Sequence, residues 1–389
     1  MRDAVIVEAV RTPVGKGKPN GALAHVHPVE LLAHTLRTLV ERSGIDPALI
    51  DDVIGGTVDQ VGEQAMNTTR YAVLSAGFPE TVPATTVDRQ CGSSQQAVHF
   101  AAQGVLSGAY DIVVACGVES MSRVPMWSNV PAGKDPFGPG VAARYPEGLV
   151  PQGISAELIA AKWSITRERM DAFAVSSHQK AAAAWDAGLF DAETAPLEGL
   201  ARDESLRPST TAEVLGGLKP AYQDPGFAER FPQIEWNITA GNASPINDGA
   251  SAVLITTSET AARLGLRPLA RLHSFAVTGS DPLLMLTGVI PATEKVLHKA
   301  GLTLSDIDLF EVNEAFSSVV LAWQQETGAD LAKVNVHGGA IAIGHPLGAS
   351  GTRLTTTLVH ALRARGARYG LQTMCEAGGL ANAMILEAV

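Results

Sequence analysis

The chain has 389 residues, enough for two or three packed units, and 46% of them are hydrophobic, as in globular proteins with a large interior. Its formal charge of −11 and pI of about 5.4 argue against general nucleic-acid binding, which needs a basic surface. The first residues lack a signal-peptide core and no apolar run reaches transmembrane length, so we expect a cytoplasmic protein without a membrane partner.

The predicted elements alternate between short β-rich runs and runs rich in alanine and leucine. In chain order they are a strand at Ala4–Val10, a helix at Val29–Ser43, a strand at Val53–Val58, a helix at Gln95–Leu106, a strand at Asp111–Cys116, an amphipathic helix at Arg167–Asp186 and a helical run at Ser258–Pro268. This alternation favours an α/β fold with buried sheets.

An internal repeat points to two similar halves. Ser43–Val53 resembles Ala300–Phe310, with Gly, Ile and Asp in register at an offset of 257 residues. Cys91–Cys116 resembles Ser350–Cys375 at an offset of 259 residues, because each opens at a small polar residue, continues as a helix and ends as a strand. The nearly constant spacing predicts that the two halves fold alike.

The segment Met121–Thr239 differs from both halves, since it is richer in proline, glycine and charged residues. We interpret it as an insertion that packs over one face. The expected domains are an N-terminal half at 1–262, with the insertion at about 121–239, and a C-terminal half at 267–389.

The three cysteines, Cys91, Cys116 and Cys375, are widely spaced, so neither a disulfide framework nor a cysteine zinc site is expected. Cys91, in D-R-Q-C-G-S-S, comes directly before a predicted helix. It is either a small buried side chain or a nucleophile whose thiolate form the helix N-terminus favours. Cys116 is interpreted as a core residue of a strand.

A glycine-rich loop, V-H-G-G-A-I-A-I-G-H-P-L-G-A-S-G-T, holds His345 between a glycine and a proline. No Gly-Lys-Ser/Thr follows, which argues against a phosphate-binding P-loop. A structural turn with an incidental histidine is the alternative to a catalytic position.

Two further turns follow predicted strands. Cys375 enters the turn M-C-E-A-G-G-L-A-N, and Asn313 lies in E-V-N-E-A-F, where plain capping is the alternative role. Together with Cys91 and His345, these residues place four polar groups at loops after strands in two related halves. Such loops line the crevice of an α/β sheet.

These motifs give the chain its resemblance to a known family. With A-V-I-V-E-A-V-R-T-P, G-V-E-S-M-S and T-A-G-N-A-S-P-I-N-D-G-A, they make nearly the whole chain similar to the thiolases, which make or cleave 3-ketoacyl-CoA. The resemblance implies an α/β fold of two halves stacked in five α-β-α-β-α layers, with an inserted loop domain. It also implies a homodimer or homotetramer that uses acyl-CoA and CoA and needs no metal or other cofactor.

The resemblance assigns roles to the candidate residues. Cys91 matches the acyl-accepting nucleophile, His345 the base that activates it, Cys375 the acid/base at the substrate α-carbon, and Asn313 the residue that orders a water in the first oxyanion hole. The positions matched to substrate and CoA binding are Ser244, Ala315, Phe316, Gly344 and Ala377, the last of which donates a backbone N–H to the second oxyanion hole.

Two positions depart from the family pattern. Ala377 replaces the usual glycine, which requires a turn that tolerates a Cβ atom. Met126 stands where the acetoacetyl-CoA-specific branch has histidine. This favours a degradative enzyme, as in fatty-acid β-oxidation, that handles a larger acyl chain, branched, ring-derived or steroid-derived.

The degradative thiolase function has three alternatives. A biosynthetic acetyl-CoA acetyltransferase is the alternative within the family. A ketoacyl synthase would carry histidine or asparagine in place of Cys375. A non-catalytic acyl-CoA or lipid carrier should have lost one of the four catalytic residues, all of which are present here.

Overall fold

The computed structural model describes residues 2–197 and 199–389. The strands are β1 Val5–Arg11, β2 Gly15–Lys16, β3 Asp52–Gly56, β4 Ala84–Val87, β5 Ile112–Ser120, β6 Asn247–Thr256, β7 Ala270–Gly279, β8 Leu309–Val312, β9 Tyr369–Glu376 and β10 Leu380–Ala388. The helices are α1 Pro28–Ser43, α2 Thr68–Ser75, α3 Ser93–Ser107, α4 Gly138–Arg144, α5 Gln152–Lys162, α6 Arg167–Asp186, α7 Ala212–Gly216, α8 Pro225–Arg230, α9 Ser258–Leu264, α10 Val289–Ala300, α11 Ser317–Thr327, α12 Ala340–Ile343 and α13 Ser350–Arg365.

The strands repeat one plan in the two halves. The first half has the order β4-β3-β5-β6-β1, and the second has β8-β9-β10-β7. The shared plan is β3-β5-β6-β1 in the first half and β8-β9-β10-β7 in the second: the first pair is parallel and the next two are antiparallel. The first half adds β4, which is parallel to β3. A short antiparallel contact between β1 and β7 joins the halves. The repeat predicted from the sequence is therefore confirmed.

Helices cover and separate the two halves of the sheet. Helices α1 and α2 pack with β1, β3 and β5 in one core, and α10 and α11 pack with β8, β9 and β10 in another. Helices α3 and α13 lie between the halves, in a central core that includes Ile6 and Val113 of the first half and Leu272 and Met384 of the second. The expected α/β fold with five layers is confirmed.

The central helix α13 is unusual in burying nearly every residue from Ser350 to Leu362. Its sequence makes this feasible, because the buried polar residues are mostly threonines, and two of them bond within the helix. Thr355 and Thr356 donate their hydroxyls to carbonyls four residues earlier, at 2.9 and 2.8 Å. A polar-looking helix can therefore occupy the middle layer.

The predicted elements agree with the structure in type and differ mainly at their ends. The helix Arg167–Asp186 is confirmed as α6, capped by the side chain of Thr166. The helical run predicted to Pro268 ends earlier, at Leu264, because Gly265 takes a left-handed conformation with φ of 69°. Cys116 lies fully buried within β5, as expected of a core residue.

The chain between β5 and β6 forms helices α4 to α8. This region is tied to the first strand by Arg11, which is fully buried and donates to Asp203 at 2.8 Å and also to Glu193. Among the residues that the structure describes, no helix combines the length and the apolarity needed to cross a bilayer.

Candidate active site

Cys91 lies on a tight turn between β4 and α3, two residues before the helix begins. The residue before it, Gln90, has φ of 49°, in the left-handed region that a glutamine rarely adopts. Ser93 holds this turn, because its hydroxyl donates to the Gln90 carbonyl at 2.6 Å and accepts the Arg89 amide at 2.9 Å. A strained backbone that is locked by hydrogen bonds is typical of a residue held for function.

The electrostatic setting of Cys91 differs from the expectation. Burial raises the pKa of Cys91 to about 12, and the nearby Glu376 carboxyl adds to this effect. The backbone N–H contribution that was expected to favour the thiolate is present, but the loss of water around the sulfur outweighs it. The thiol is protonated at rest and needs a base to remove its proton.

His345 carries a ring nitrogen that can accept a proton. Its Nδ1 lies 2.6 Å from the Ser350 hydroxyl, and this hydroxyl donates to the Pro346 carbonyl at 2.7 Å. Because the serine hydroxyl uses its hydrogen to bond to the carbonyl, its oxygen can only accept a hydrogen bond from His345. The ring proton is therefore on Nδ1, and the lone pair is on Nε2. Burial lowers the pKa of His345 to about 3, and the positive charge of Arg353 contributes. The imidazole is neutral at rest and its Nε2 is free to accept a proton.

Asn313 lies at the open side of this imidazole. It follows β8 directly, is fully buried, and its Nδ2 is 3.4 Å from His345 Nε2. Its Oδ1 has no hydrogen-bond partner among the described residues. A buried amide with an unused acceptor beside the base is suited to holding a water or a substrate oxygen.

The backbone of His345 is held by Asn247, a residue for which the sequence gave no role. Asn247 Oδ1 accepts the His345 N–H at 2.9 Å, and its amide donates to the Gly15 carbonyl at 2.8 Å and the Ser205 hydroxyl at 2.9 Å. Gly344, with φ of 122°, packs so closely that a Cβ there would lie 2.7 Å from Asn247 Cγ. The only sequence signal was membership of T-A-G-N-A-S-P-I-N-D-G-A.

Two buried carboxyl groups fix the rest of the glycine loop, and the sequence did not assign either. Glu119 accepts the Gly348 N–H at 2.8 Å, and Glu314 accepts the Ile341 N–H at 3.1 Å and the Ser177 hydroxyl at 2.7 Å. Burial raises the pKa of both groups. They anchor the loop on either side of His345, and their signals were the motifs G-V-E-S-M-S and E-V-N-E-A-F.

Cys375 is the second thiol of the site and lies near the end of β9, fully buried. Burial raises its pKa above the usual range, and the neighbouring Cys91 contributes. Cys375 is therefore a neutral proton donor at rest. After it, Ala377 keeps a negative φ, whereas Gly378 and Gly379 have φ of 81° and 77°. The turn thus accommodates alanine in place of the family's glycine.

A cavity of about 280 Å³ lies beside Cys91. It is lined by Cys91, by Leu347 two residues after His345, and by Ala377 two residues after Cys375. Met126, the position that departs from the acetoacetyl-CoA branch, is also part of the lining. The sulfur of Cys91 thus faces a small space whose wall includes near neighbours in sequence of His345 and Cys375, an arrangement that suits acyl transfer coupled to proton transfer.

The other expected binding residues form a separate group. The Ser244 N–H donates to the Ala315 carbonyl at 2.9 Å, and a β-bridge pairs Ala243 with Phe316. Phe316 is buried against the ring of Tyr222. The structure therefore brings Ser244, Ala315 and Phe316 together at the end of the strand that also carries Asn313.

Comparison with known proteins identifies the family. The model of the thiolase N-terminal domain matches residues 4–259, and the model of the thiolase C-terminal domain matches residues 266–388. The chain belongs to the thiolase family. As a thiolase it is an acyltransferase enzyme.

Relatives match this thiolase over nearly their full length. It is 48% identical to a steroid 3-ketoacyl-CoA thiolase of Mycobacterium tuberculosis, over 100% of this chain and 94% of that protein. It is 42% identical to a 3-ketoacyl-CoA thiolase of Bacillus subtilis, over 100% of both chains. The solved structure of human mitochondrial 3-ketoacyl-CoA thiolase in complex with CoA has a TM-score of 0.89 and 36% identity, over 100% of this chain and 98% of that one.

Proposed function

We propose that this thiolase cleaves 3-ketoacyl-CoA with CoA, in the degradative direction, to acetyl-CoA and a shortened acyl-CoA. The observation that carries this proposal is the neutral His345, whose unprotonated Nε2 lies beside the Asn313 amide, in a protein whose Cys91 thiol is protonated at rest and lines a cavity. The names of the relatives support 3-ketoacyl-CoA as the substrate class. Methionine at position 126, rather than histidine, supports cleavage over acetoacetyl-CoA synthesis.

The first half of the reaction forms an acyl-enzyme. His345 Nε2 takes the proton of Cys91, and the sulfur attacks the 3-keto carbon of the substrate. The alkoxide collapses and the bond between C2 and C3 breaks, which leaves acyl-Cys91 and the enolate of acetyl-CoA. Cys375 gives its proton to C2 of the enolate, so acetyl-CoA leaves while Cys375 remains a thiolate and His345 an imidazolium.

The second half returns every proton. Cys375 takes the proton of the incoming CoA thiol, and the CoA sulfur attacks acyl-Cys91. Cys91 leaves as a thiolate and recovers its proton from His345. Two oxygens become negatively charged along this path. The backbone N–H groups of Cys91 and Ala377 stabilise one, and a water held by Asn313, with protonated His345, stabilises the other. Losing one such donor typically lowers the rate by about 10²–10³-fold.

Coenzyme A is a substrate in this scheme, and no resident cofactor takes part. We propose that its pantetheine arm runs along Ser244, Ala315 and Phe316 to the loop at Gly344. Consistent with this, Phe316 and Tyr222 form an apolar edge beside the backbone of Ser244. We further propose the domain bounds 1–262 and 267–389, with the loop domain at about 121–239, and a cytoplasmic location.

We also propose that the enzyme is a homo-oligomer assembled through β4. Within the described residues, β4 is hydrogen-bonded on one side only, to β3, and so lies at the edge of the sheet. Beside it Tyr71, Leu74 and Phe100 are 47%, 39% and 40% exposed. An open strand edge with exposed apolar neighbours readily pairs with a second copy. Light scattering after size exclusion would give the mass of the assembly.

The experiment compares three cysteine variants in CoA-dependent cleavage of a 3-ketoacyl-CoA. Cys91→Ala and Cys375→Ala should both abolish cleavage, whereas the matched control Cys116→Ala, at another buried cysteine, should retain it. Mass spectrometry of the intact protein incubated with a simple acyl-CoA should find acyl-Cys91 in Cys375→Ala and none in Cys91→Ala. Cleavage that persists in Cys91→Ala would refute the proposal.

A further inference from the structure

A second, larger cavity adjoins the one beside Cys91. It has a volume of about 620 Å³, more than twice the 280 Å³ of the inner cavity. Trp127, Val130, Pro136 and Phe137 line both cavities, so the two cavities are neighbours that share these side chains as a common wall. A long group that is bound through the sulfur of Cys91 would enter the outer cavity by passing these four side chains.

The wall of the outer cavity is mostly apolar and partly aromatic. Its lining comes from one continuous stretch, residues 127–151, which includes α4 and carries Val141, Tyr145 and Leu149. Trp127 is 55% exposed and Phe137 is 60% exposed. Large apolar side chains that are left in water next to a concave surface mark a binding site rather than a surface that only faces solvent.

The arrangement of the other binding residues limits what can occupy this space. Ser244, Ala315 and Phe316 line neither cavity. If the pantetheine arm of CoA follows those residues, it does not fill the outer cavity. The part of the substrate that remains, and that is attached at Cys91, is the acyl group.

We propose that the outer cavity holds the acyl group of the substrate, and that the preferred substrates are 3-ketoacyl-CoA esters whose acyl group ends in a bulky, mostly apolar ring system. This inference rests on the proposed thiolase function. A two- or three-carbon acyl group stays within the inner cavity and makes no contact with Val141 or Tyr145. Only a longer or wider acyl group reaches the wall of the outer cavity, where burial of apolar surface adds to its binding free energy.

The shape of the wall favours rings over a long flexible chain. Three aromatic side chains, Trp127, Phe137 and Tyr145, line this wall, and aromatic rings offer flat apolar surfaces on which a fused ring system can pack. A rigid ring system also loses little conformational freedom on binding, whereas a linear chain must fix each of its rotatable bonds to fill the same volume. The ring-bearing substrate therefore gains more from this cavity for the same apolar area.

The test compares three substrates in CoA-dependent cleavage by the purified enzyme. They are acetoacetyl-CoA, linear 3-ketohexadecanoyl-CoA, and a 3-ketoacyl-CoA whose chain ends in a fused two-ring decalin group. We expect the decalin substrate to have a kcat/KM about tenfold or more above that of each of the other two. A preference for acetoacetyl-CoA or for the linear chain, with cleavage intact, would overturn the inference and leave the proposed function standing. Absence of cleavage on all three would instead refute the proposed function.

A variant that fills the outer cavity locates the binding site of the rings. Val141 lies on α4 and lines only the outer cavity, so Val141→Trp should lower kcat/KM for the decalin substrate by about tenfold or more and leave acetoacetyl-CoA unchanged. Val214→Trp, at an exposed valine of α7 that lines neither cavity, is the matched control and should leave both substrates unchanged. An equal loss on both substrates would overturn the inference. Unchanged substrate selectivity of Val141→Trp together with an altered oligomer mass would also overturn the inference, since a second copy of the chain would then occupy the outer cavity.

Discussion

Replacing Glu376 with glutamine is expected to make the stability of this thiolase less dependent on pH. The side chain is fully buried at the end of β9, and neither carboxyl oxygen has a hydrogen-bond partner among the described residues. It packs against the turn of the nucleophile so closely that a Cβ on Gly92 would lie 1.9 Å from Glu376 Oε1. Burial raises the pKa of Glu376 to about 8, although the charge of Arg89 opposes this.

The sign of the effect follows from the two protonation states. Below the ordinary pKa of 4.5 the carboxyl is protonated in both the folded and the unfolded chain. Between pH 4.5 and about 8 the unfolded chain releases the proton and the folded chain keeps it, so unfolding becomes more favourable as the pH rises. At about 1.4 kcal/mol for each pKa unit, the loss in the free energy of unfolding is on the order of 5 kcal/mol at pH 8 and above.

Glutamine has nearly the same shape and no proton to release, so Glu376→Gln should remove this pH-dependent loss. Thermal unfolding midpoints of the wild type and the variant, measured from pH 5 to pH 9, should diverge with rising pH in favour of the variant. Glu259→Gln, at an exposed glutamate of α9, serves as the control and should parallel the wild type. Parallel curves for Glu376→Gln as well would show that the buried carboxyl does not carry the raised pKa.

Three further substitutions test the framework of the site. Asn247→Ala removes the acceptor of the His345 N–H and should lower kcat by up to about 100-fold with little change in KM, in steady-state assays. Gly92→Ala places a Cβ against Glu376 and should lower the free energy of unfolding by about 1–3 kcal/mol in urea titrations, a loss that a second change to a smaller residue at position 376 should reduce. Arg11→Ala leaves two buried carboxylates without their partner and should cost about 3–5 kcal/mol in the same titrations.

The layout of the fold was readable from the sequence because its signals are local and repeated. Helix α6 has a capping threonine and a 20-residue run without proline or glycine, so both of its ends were correctly predicted. The repeat, whose offset of 257 residues carries β3 onto β8, correctly predicted that the two halves fold alike, but it did not give the strand order. Ends set by a single glycine, such as the stop of α9 before Gly265, were missed because the sequence around them remains compatible with a helix.

The four residues with expected catalytic roles were found from their motifs, but the contacts that hold them were not. Glu119 and Gly348 are 229 residues apart in the chain, and no local pattern marks such a pair. The sequence shows the start of the helix, whose backbone N–H groups lower the pKa of Cys91, but it does not show how completely the sulfur is removed from water, which raises this pKa more. Burial is set by the packing of both halves and becomes visible only in the folded chain.

The Ser350 hydroxyl, which fixes the proton on Nδ1 of His345, lies at a position that is related to Cys91 by the internal repeat. Ser350 is the residue of the second half that corresponds to Cys91 in the first, at the corner where a strand-side loop becomes a central helix. The two copies of this corner thus have different proposed roles. Cys91 supplies the attacking sulfur, and the Ser350 hydroxyl orients the His345 ring. Two identical halves would carry either two cysteines or two serines at this corner. Under the proposed mechanism, catalysis therefore requires the two halves to differ at this position.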